Sequence, residues 1–170
     1  MNSDTLPEHL SANRFIDAKG EISGPLDPQH YKRFAEMATL LSGATVVLRG
    51  CMEPFGPKVV VGELQAEAQM TCQRCLKPMT VVLEGPIRWG LVFSELEIQS
   101  LDNDLDPILV EEGQLHLRQA IEDELVLLLP IMPMHETCNR EWISDSERVD
   151  VSEKKSPFAV LAAFKNEQGS

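Results

Sequence analysis

The sequence predicts an α+β fold: a twisted, mainly antiparallel, partly barrel-like sheet with two packed helices and a flexible C-terminal tail. Alternation comes first. Between Val59 and Met70, Leu64, Ala66, Ala68 and Met70 take one phase and Glu63, Gln65, Glu67 and Gln69 the other, which marks a strand with one wet face. The alternation then resumes in Met79, Val81 and Leu83, and again in Ile87, Trp89, Leu91 and Phe93, after a connection too short for anything but an antiparallel return. Finally, Tyr31, Phe34, Ala35, Ala38 and Leu41, and later Leu117, Ala120, Ile121, Leu125 and Leu128, fall at helical spacing.

In chain order, residues 1–12 read as a mobile leader and 13–143 as a single domain. Arg14-Phe15-Ile16 suggests a short strand turning at Gly20. Asp27 is an N-cap type and Pro28 suits a first helical position, so a helix is expected over 28–42, ended by Gly43. Thr45-Val46-Val47-Leu48 is β-branched and reads as a strand, with Cys51 a buried thiol beside it. Met52–Lys58 reads as a hairpin-type loop. Gly85-Pro86 predicts a bulge or bend in the later strand. Glu95–Asp106 is acidic and aperiodic, hence a solvated loop, and Ile108-Leu109-Val110 a short strand broken by Gly113. A second helix is expected over 115–129, stopped by Pro130 and Pro133. Glu122 and Asp123 lie off its apolar stripe and read as solvated. Glu124 borders the stripe and reads as a half-buried, hydrogen-bonded carboxylate, with partner contact as its other role. Residues 144–156 form a polar linker without apolar periodicity, and 157–170 a docking segment in which Pro157, Phe158 and Leu161 are the contact candidates.

Charge narrows the function classes. At −12, the chain repels phosphate backbones globally and favours basic partners, leaving room only for a local basic spot, for which Arg74, Lys77 and Arg88 are candidates. Aromatic residues make up 5% of the chain, too few for base-stacking platforms. The polar stretch Met1–Leu10 lacks an apolar signal region and no apolar run reaches the ~18 residues of a membrane span, so a cytoplasmic protein with no membrane partner is expected. Gly-rich phosphate loops, nucleophile elbows and His-Glu-x-x-His pairs are absent, and nothing points to a small-molecule substrate; the expectation is a protein that is not an enzyme.

Cys72-Gln73-Arg74-Cys75 sits where the two long strands meet, and His135 and Cys138 repeat its spacing after the second helix. Three readings stay open. The four side chains form the donor set of a structural zinc; or Cys72 and Cys75 form a redox pair; or they are an unmetallated cluster of small buried residues. Redox chemistry is disfavoured because a strand, not a helix N-terminus, follows the pair.

Cys72-Gln73-Arg74-Cys75-Leu76-Lys77-Pro78, then Ile121-Glu122-Asp123-Glu124-Leu125 running into Leu128–His135, then Pro157-Phe158-Ala159-Val160-Leu161 resemble, in order and separation, the YceD family of large ribosomal RNA subunit accumulation proteins. The resemblance covers about Glu67 to Lys165. It implies a cytosolic role in synthesis, processing or stability of large-subunit (23S) ribosomal RNA. The partner would be that RNA or its precursor, met directly or through a ribosomal protein. It carries over no catalytic residue. It makes a metal clasp plausible near the proline segment, where some members have further cysteines and this chain has only His135 and Cys138. An acidic adaptor that holds a basic ribosomal protein is the alternative, and a thiol redox protein using Cys72 and Cys75 a third.

Overall fold

A computed structural model describes residues 6–52 and 56–138. The expected linker 144–156 and docking segment 157–170, with Pro157, Phe158 and Leu161, lie outside the described residues.

Within the expected leader, Leu6 is buried and His9–Ser11 forms strand β1. Arg14-Phe15-Ile16 is helical: α1 spans Ala12–Asp17, and the buried residues Ala12, Phe15 and Ile16 stand at i, i+3 and i+4, one face of a helix. Strand β2 (Glu21–Pro25) follows. The helix expected over 28–42 is broken up. Asp27 does cap, its Oδ1 accepting from the Gln29 amide at 3.0 Å, but the turn it starts is a 3-10 segment, Pro28–His30. After Tyr31 leaves helical geometry, α2 spans only Lys32–Ala35, and Thr39–Leu40 forms strand β3. Of the expected face, Tyr31, Phe34 and Ala38 are still buried, whereas Ala35 is exposed and Leu41 half-buried. The helix stops because β3 satisfies Gln69 and Ala68, which lie beyond the last residue paired by the neighbouring strand, Gln65.

Strands β4 (Thr45–Met52), β5 (Lys58–Thr71) and β6 (Pro78–Val92) form the centre of the sheet. Alternation holds along β5: Leu64, Ala66 and Ala68 are buried while Glu63, Gln65, Glu67 and Gln69 are exposed. The expected interruption at Gly85-Pro86 does not occur, since β5 and β6 stay in register from Lys58↔Leu91 to Thr71↔Pro78. Pro86 is tolerated because the strand on the other side of β6 pairs only with Trp89–Val92. Cys51 is exposed, not buried. Phe93 also leaves the core, with Lys58 Nζ 4.9 Å from its ring centroid.

The acidic stretch contains a short helix, α3 (Glu95–Ile98), and Leu105 from the same stretch is buried. Strand β7 (Asp106–Leu109) then pairs parallel to β6, and β8 (Gln114–His116) pairs antiparallel with β1. Helix α4 spans Leu117–Leu127, two residues later than expected at its start, because Leu115 and His116 belong to β8. Its N-cap residue, His116, makes no side-chain capping bond.

The fold is thus α+β with a mainly antiparallel, mixed sheet. Among the described residues the main sheet is six-stranded in the order β2-β4-β5-β6-β7, with β3 added beside β5, and it is open: β2 and β7 are its edges, so the expected partial barrel does not close. Four α-helices, not two, accompany it among the described residues. One apolar core joins Leu48, Leu64, Leu83 and Trp89 of the sheet with Leu117, Ile121 and Leu125 of α4. A side chain on Gly85 would lie 2.8 Å from Leu128, so the glycine makes the notch that seats the end of α4 on β6.

Candidate metal centre

The connection from β5 to β6 is a tight, hydrogen-bonded turn. The Cys72 amide donates to the Lys77 carbonyl at 3.0 Å and the Leu76 amide to the Cys72 carbonyl at 2.9 Å. Leu76 takes a left-handed conformation (φ 60°), which costs a residue with a Cβ about 1–2 kcal/mol and reverses the chain just after the second cysteine. The Cys72 sulfur receives backbone N–H groups of Arg74 and Cys75 from within the turn and of His135 from outside it; the Lys77 N–H serves the Cys75 sulfur.

The segment after α4 is brought back to this turn. The Gln73 amide donates to the Pro133 carbonyl at 2.8 Å, and Arg74 Nη2 to the His135 carbonyl at 2.9 Å. As a result, Cys72 Sγ lies 3.7 Å from Cys138 Sγ, and Cys75 Sγ lies 3.4 Å from His135 Nδ1. All four donor atoms lie within 4.8 Å of one another. Arg74 Nε donates to Cys138 Sγ at 2.9 Å. Cys72 is buried, its three partners are half-buried, and all are free thiols or imidazole. Burial opposes ionisation of Cys72, yet the converging N–H groups outweigh it and pull the thiol down to about 5; the neighbouring Cys75 thiol is pushed up. The four candidate ligands predicted from spacing are therefore assembled. A thioredoxin-like setting is not, because β6 rather than a helix follows the pair.

The remaining candidates are placed as follows. Arg74 serves the cysteine–histidine cluster. Lys77 is exposed at the end of the turn. Arg88 pairs with Asp104 at 2.7 Å. Glu124 is turned inward: its Oε1 accepts from Trp89 Nε1 at 2.6 Å, and burial holds its carboxyl above the ordinary range although the indole bond opposes this.

Two features escaped sequence reasoning. Glu122, read as solvated, is buried; it accepts from the Arg33 amide at 2.7 Å, from Arg33 Nε at 3.1 Å and from the Phe34 amide at 3.3 Å, tying α2 to α4. The carboxylate takes the free amides at the start of the short helix, and Arg33 also reaches Asp123. The second is a groove of about 590 Å³ that gathers His9, His30, Lys32, Arg33, His116 and Arg118 on an otherwise acidic protein, together with Glu8 and Glu122, which pair with Arg118 and Arg33. Its basic members come from five separate elements, so no basic run in the sequence marked it. Among the described residues no helix is long and apolar enough to cross a membrane.

Residues 60–165 match the family described as large ribosomal RNA subunit accumulation protein YceD. A protein of that name from Haemophilus influenzae is 34% identical over 142 residues, which cover 79% of this chain and 81% of the relative. No solved structure matches. With more than half of the chain matched, and the Cys72–Pro78 turn, helix α4 and the segment that returns to the turn all inside the match, the chain belongs to the YceD family.

Proposed function

We infer that the protein is a cytoplasmic, non-enzymatic factor for accumulation of large-subunit ribosomal RNA, acting on the synthesis, processing or stability of the 23S species. Membership of the family, and the name of the relative, carry this reading. The Arg33–Glu122–Asp123 tie and the cysteine–histidine cluster each use their groups on one another, which suits a structural role for both. The ratio of 23S to 16S RNA in cells lacking the protein tests the family-based reading. A fall that is restored by the wild-type chain is expected; an unchanged ratio overturns the reading.

Direct contact with the RNA would use the cations of the groove, Lys32 first and then Arg118, because a net charge of −12 restricts phosphate attraction to local positive charge and Arg33 is already paired with Glu122 and Asp123. Lys32→Glu together with Arg118→Glu should then abolish crosslinking to large-subunit RNA. The acidic-adaptor reading is favoured by a different observation: α3 exposes Leu96 and Ile98 among Glu95 and Glu97, an apolar contact framed by negative charge. In that case the charge-reversed groove leaves association with pre-ribosomal particles intact, whereas Leu96→Asp or removal of residues 157–170 eliminates capture of a basic ribosomal protein.

A further inference from the structure

We propose that Cys72, Cys75, Cys138 and the Nδ1 atom of His135 bind one Zn(II) ion, with Arg74 as the charge-balancing partner of the site. The inference is independent of the ribosomal reading. A tetrahedral zinc with Zn–S of about 2.3 Å and Zn–N of about 2.0–2.1 Å holds sulfurs about 3.8 Å apart and sulfur from nitrogen about 3.6 Å apart. Two of the four cross-pair separations are 3.7 Å for Cys72 Sγ to Cys138 Sγ and 3.4 Å for Cys75 Sγ to His135 Nδ1, and all four donor atoms lie within 4.8 Å of one another, so closing on an ion takes shifts of about an ångström or less. Each of these spans the two chain segments, so the match is not a by-product of local turn geometry. A disulfide would need sulfurs about 2.05 Å apart.

The turn is built to serve thiolates. Backbone N–H groups of Arg74, Cys75 and His135 converge on the Cys72 sulfur, and the Lys77 N–H on that of Cys75. Amides donating to sulfur stabilise it as an anion and orient its remaining lone pairs. The left-handed Leu76 is what aims the Lys77 amide back, and 72% exposure of its side chain shows that packing does not hold it there.

Charge closes the account. Three thiolates, a neutral imidazole and Zn(II) leave the site at −1. Arg74, with Nε on Cys138 Sγ at 2.9 Å and Nη2 on the His135 carbonyl at 2.9 Å, supplies the compensating charge and fixes the second ligand pair. Soft sulfur donors with one imidazole select zinc over magnesium or calcium. The ion would lock the Pro133–Cys138 segment to the tip of the β5–β6 hairpin.

The test uses the full-length protein. Elemental analysis after purification under reducing conditions without chelator should give about one zinc per chain, four-coordinate closed sites being the structural kind. Metal-free protein titrated with Co(II) should develop the intense visible bands of a tetrahedral ion and sulfur-to-cobalt charge transfer. Cys51→Ser, outside the cluster, should match wild type, while Cys138→Ser and His135→Ala should lose tight binding. Arg74→Gln should keep the tetrahedral spectrum but bind zinc about tenfold more weakly, with partial rescue in Arg74→Lys. Pale octahedral cobalt spectra for the wild type, zinc well below one per chain after reconstitution, or full binding by Cys138→Ser overturns the site. Unchanged affinity in Arg74→Gln overturns the part assigned to Arg74. Because the wild-type spectrum decides alone, a variant that fails to fold does not rescue the proposal.

Discussion

The two ends of the β5–β6 hairpin are held by different physics. Toward the body, Val60, Leu64, Leu83, Ile87 and Trp89 are fully buried, and α4 lies over them, seated by the Gly85 notch and the Trp89–Glu124 bond. Toward the tip, Val82 and Leu76 are 63% and 72% exposed, and Cys72 is the one fully buried side chain of the turn. Apolar burial of ~25 cal/mol per Å² organises the first end without directional contacts. The second lacks the area for that and relies on directed ones: amide to carbonyl, amide to sulfur, guanidinium to thiol. A long hairpin that outruns its core needs a different fastening at its far end, and the same fastening recruits the chain that emerges from α4.

Breaking the body should cost most. Trp89→Ala removes the largest buried side chain and strands the Glu124 carboxylate, so a loss of about 3–5 kcal/mol is expected in urea unfolding. A loss below about 1 kcal/mol would mean the hairpin does not depend on this core. Next comes Glu122→Ala, which leaves the Arg33 and Phe34 amides without their acceptor; because the Arg33 side chain is half exposed, about 1–3 kcal/mol is expected. Restoration by Glu122→Gln to more than half of the loss would separate the amide contacts from the ion pair.

Changes at the tip should stay local. Adding zinc to metal-free protein should move amide resonances of residues 72–78 and 131–138 while leaving those around Trp89 in place; a comparable change in the Trp89 environment would show the two ends to be one cooperative unit. The smallest effect belongs to Glu124. Its carboxyl is raised by burial, so the folded state disfavours the ionised form. Stability is fully present below the unfolded carboxyl range and falls as pH rises through the folded value. Glu124→Gln keeps an oxygen for the indole and removes the charge. Its stability relative to the parent should improve from about pH 4 to about pH 7 by about 1 kcal/mol or less, solvent screening included; a pH-independent difference would be the contrary result.

Sequence reading reached the features that repeat. The β5 and β6 alternation, the α4 stripe and the matched spacings Cys72/Cys75 and His135/Cys138 are all local patterns, and all appear in the structure. What stayed hidden depends on partners far away in the chain. Glu122 lies off the stripe of α4, and only its partner 89 positions earlier explains its burial. The helix expected over 28–42 yields to β3 because an edge of β5 needs pairing, which no window around Thr39 reveals. Arg14–Ile16 was too short for its period to be told from that of a strand, and the meeting of the two ligand pairs required the path of the chain after α4.

The pairing of β1 with β8 sets an order of events. His9 meets His116 and Ser11 meets Gln114, so the first described strand has no partner until about a hundred further residues exist. The β5–β6 hairpin, closed by one turn, is complete as soon as Val92 has been made. Since synthesis proceeds at about 5–20 residues per second, the N-terminal strand waits for several seconds beside a nascent sheet with open edges before its own site appears. The beginning of this chain is the last of its described strands to be placed.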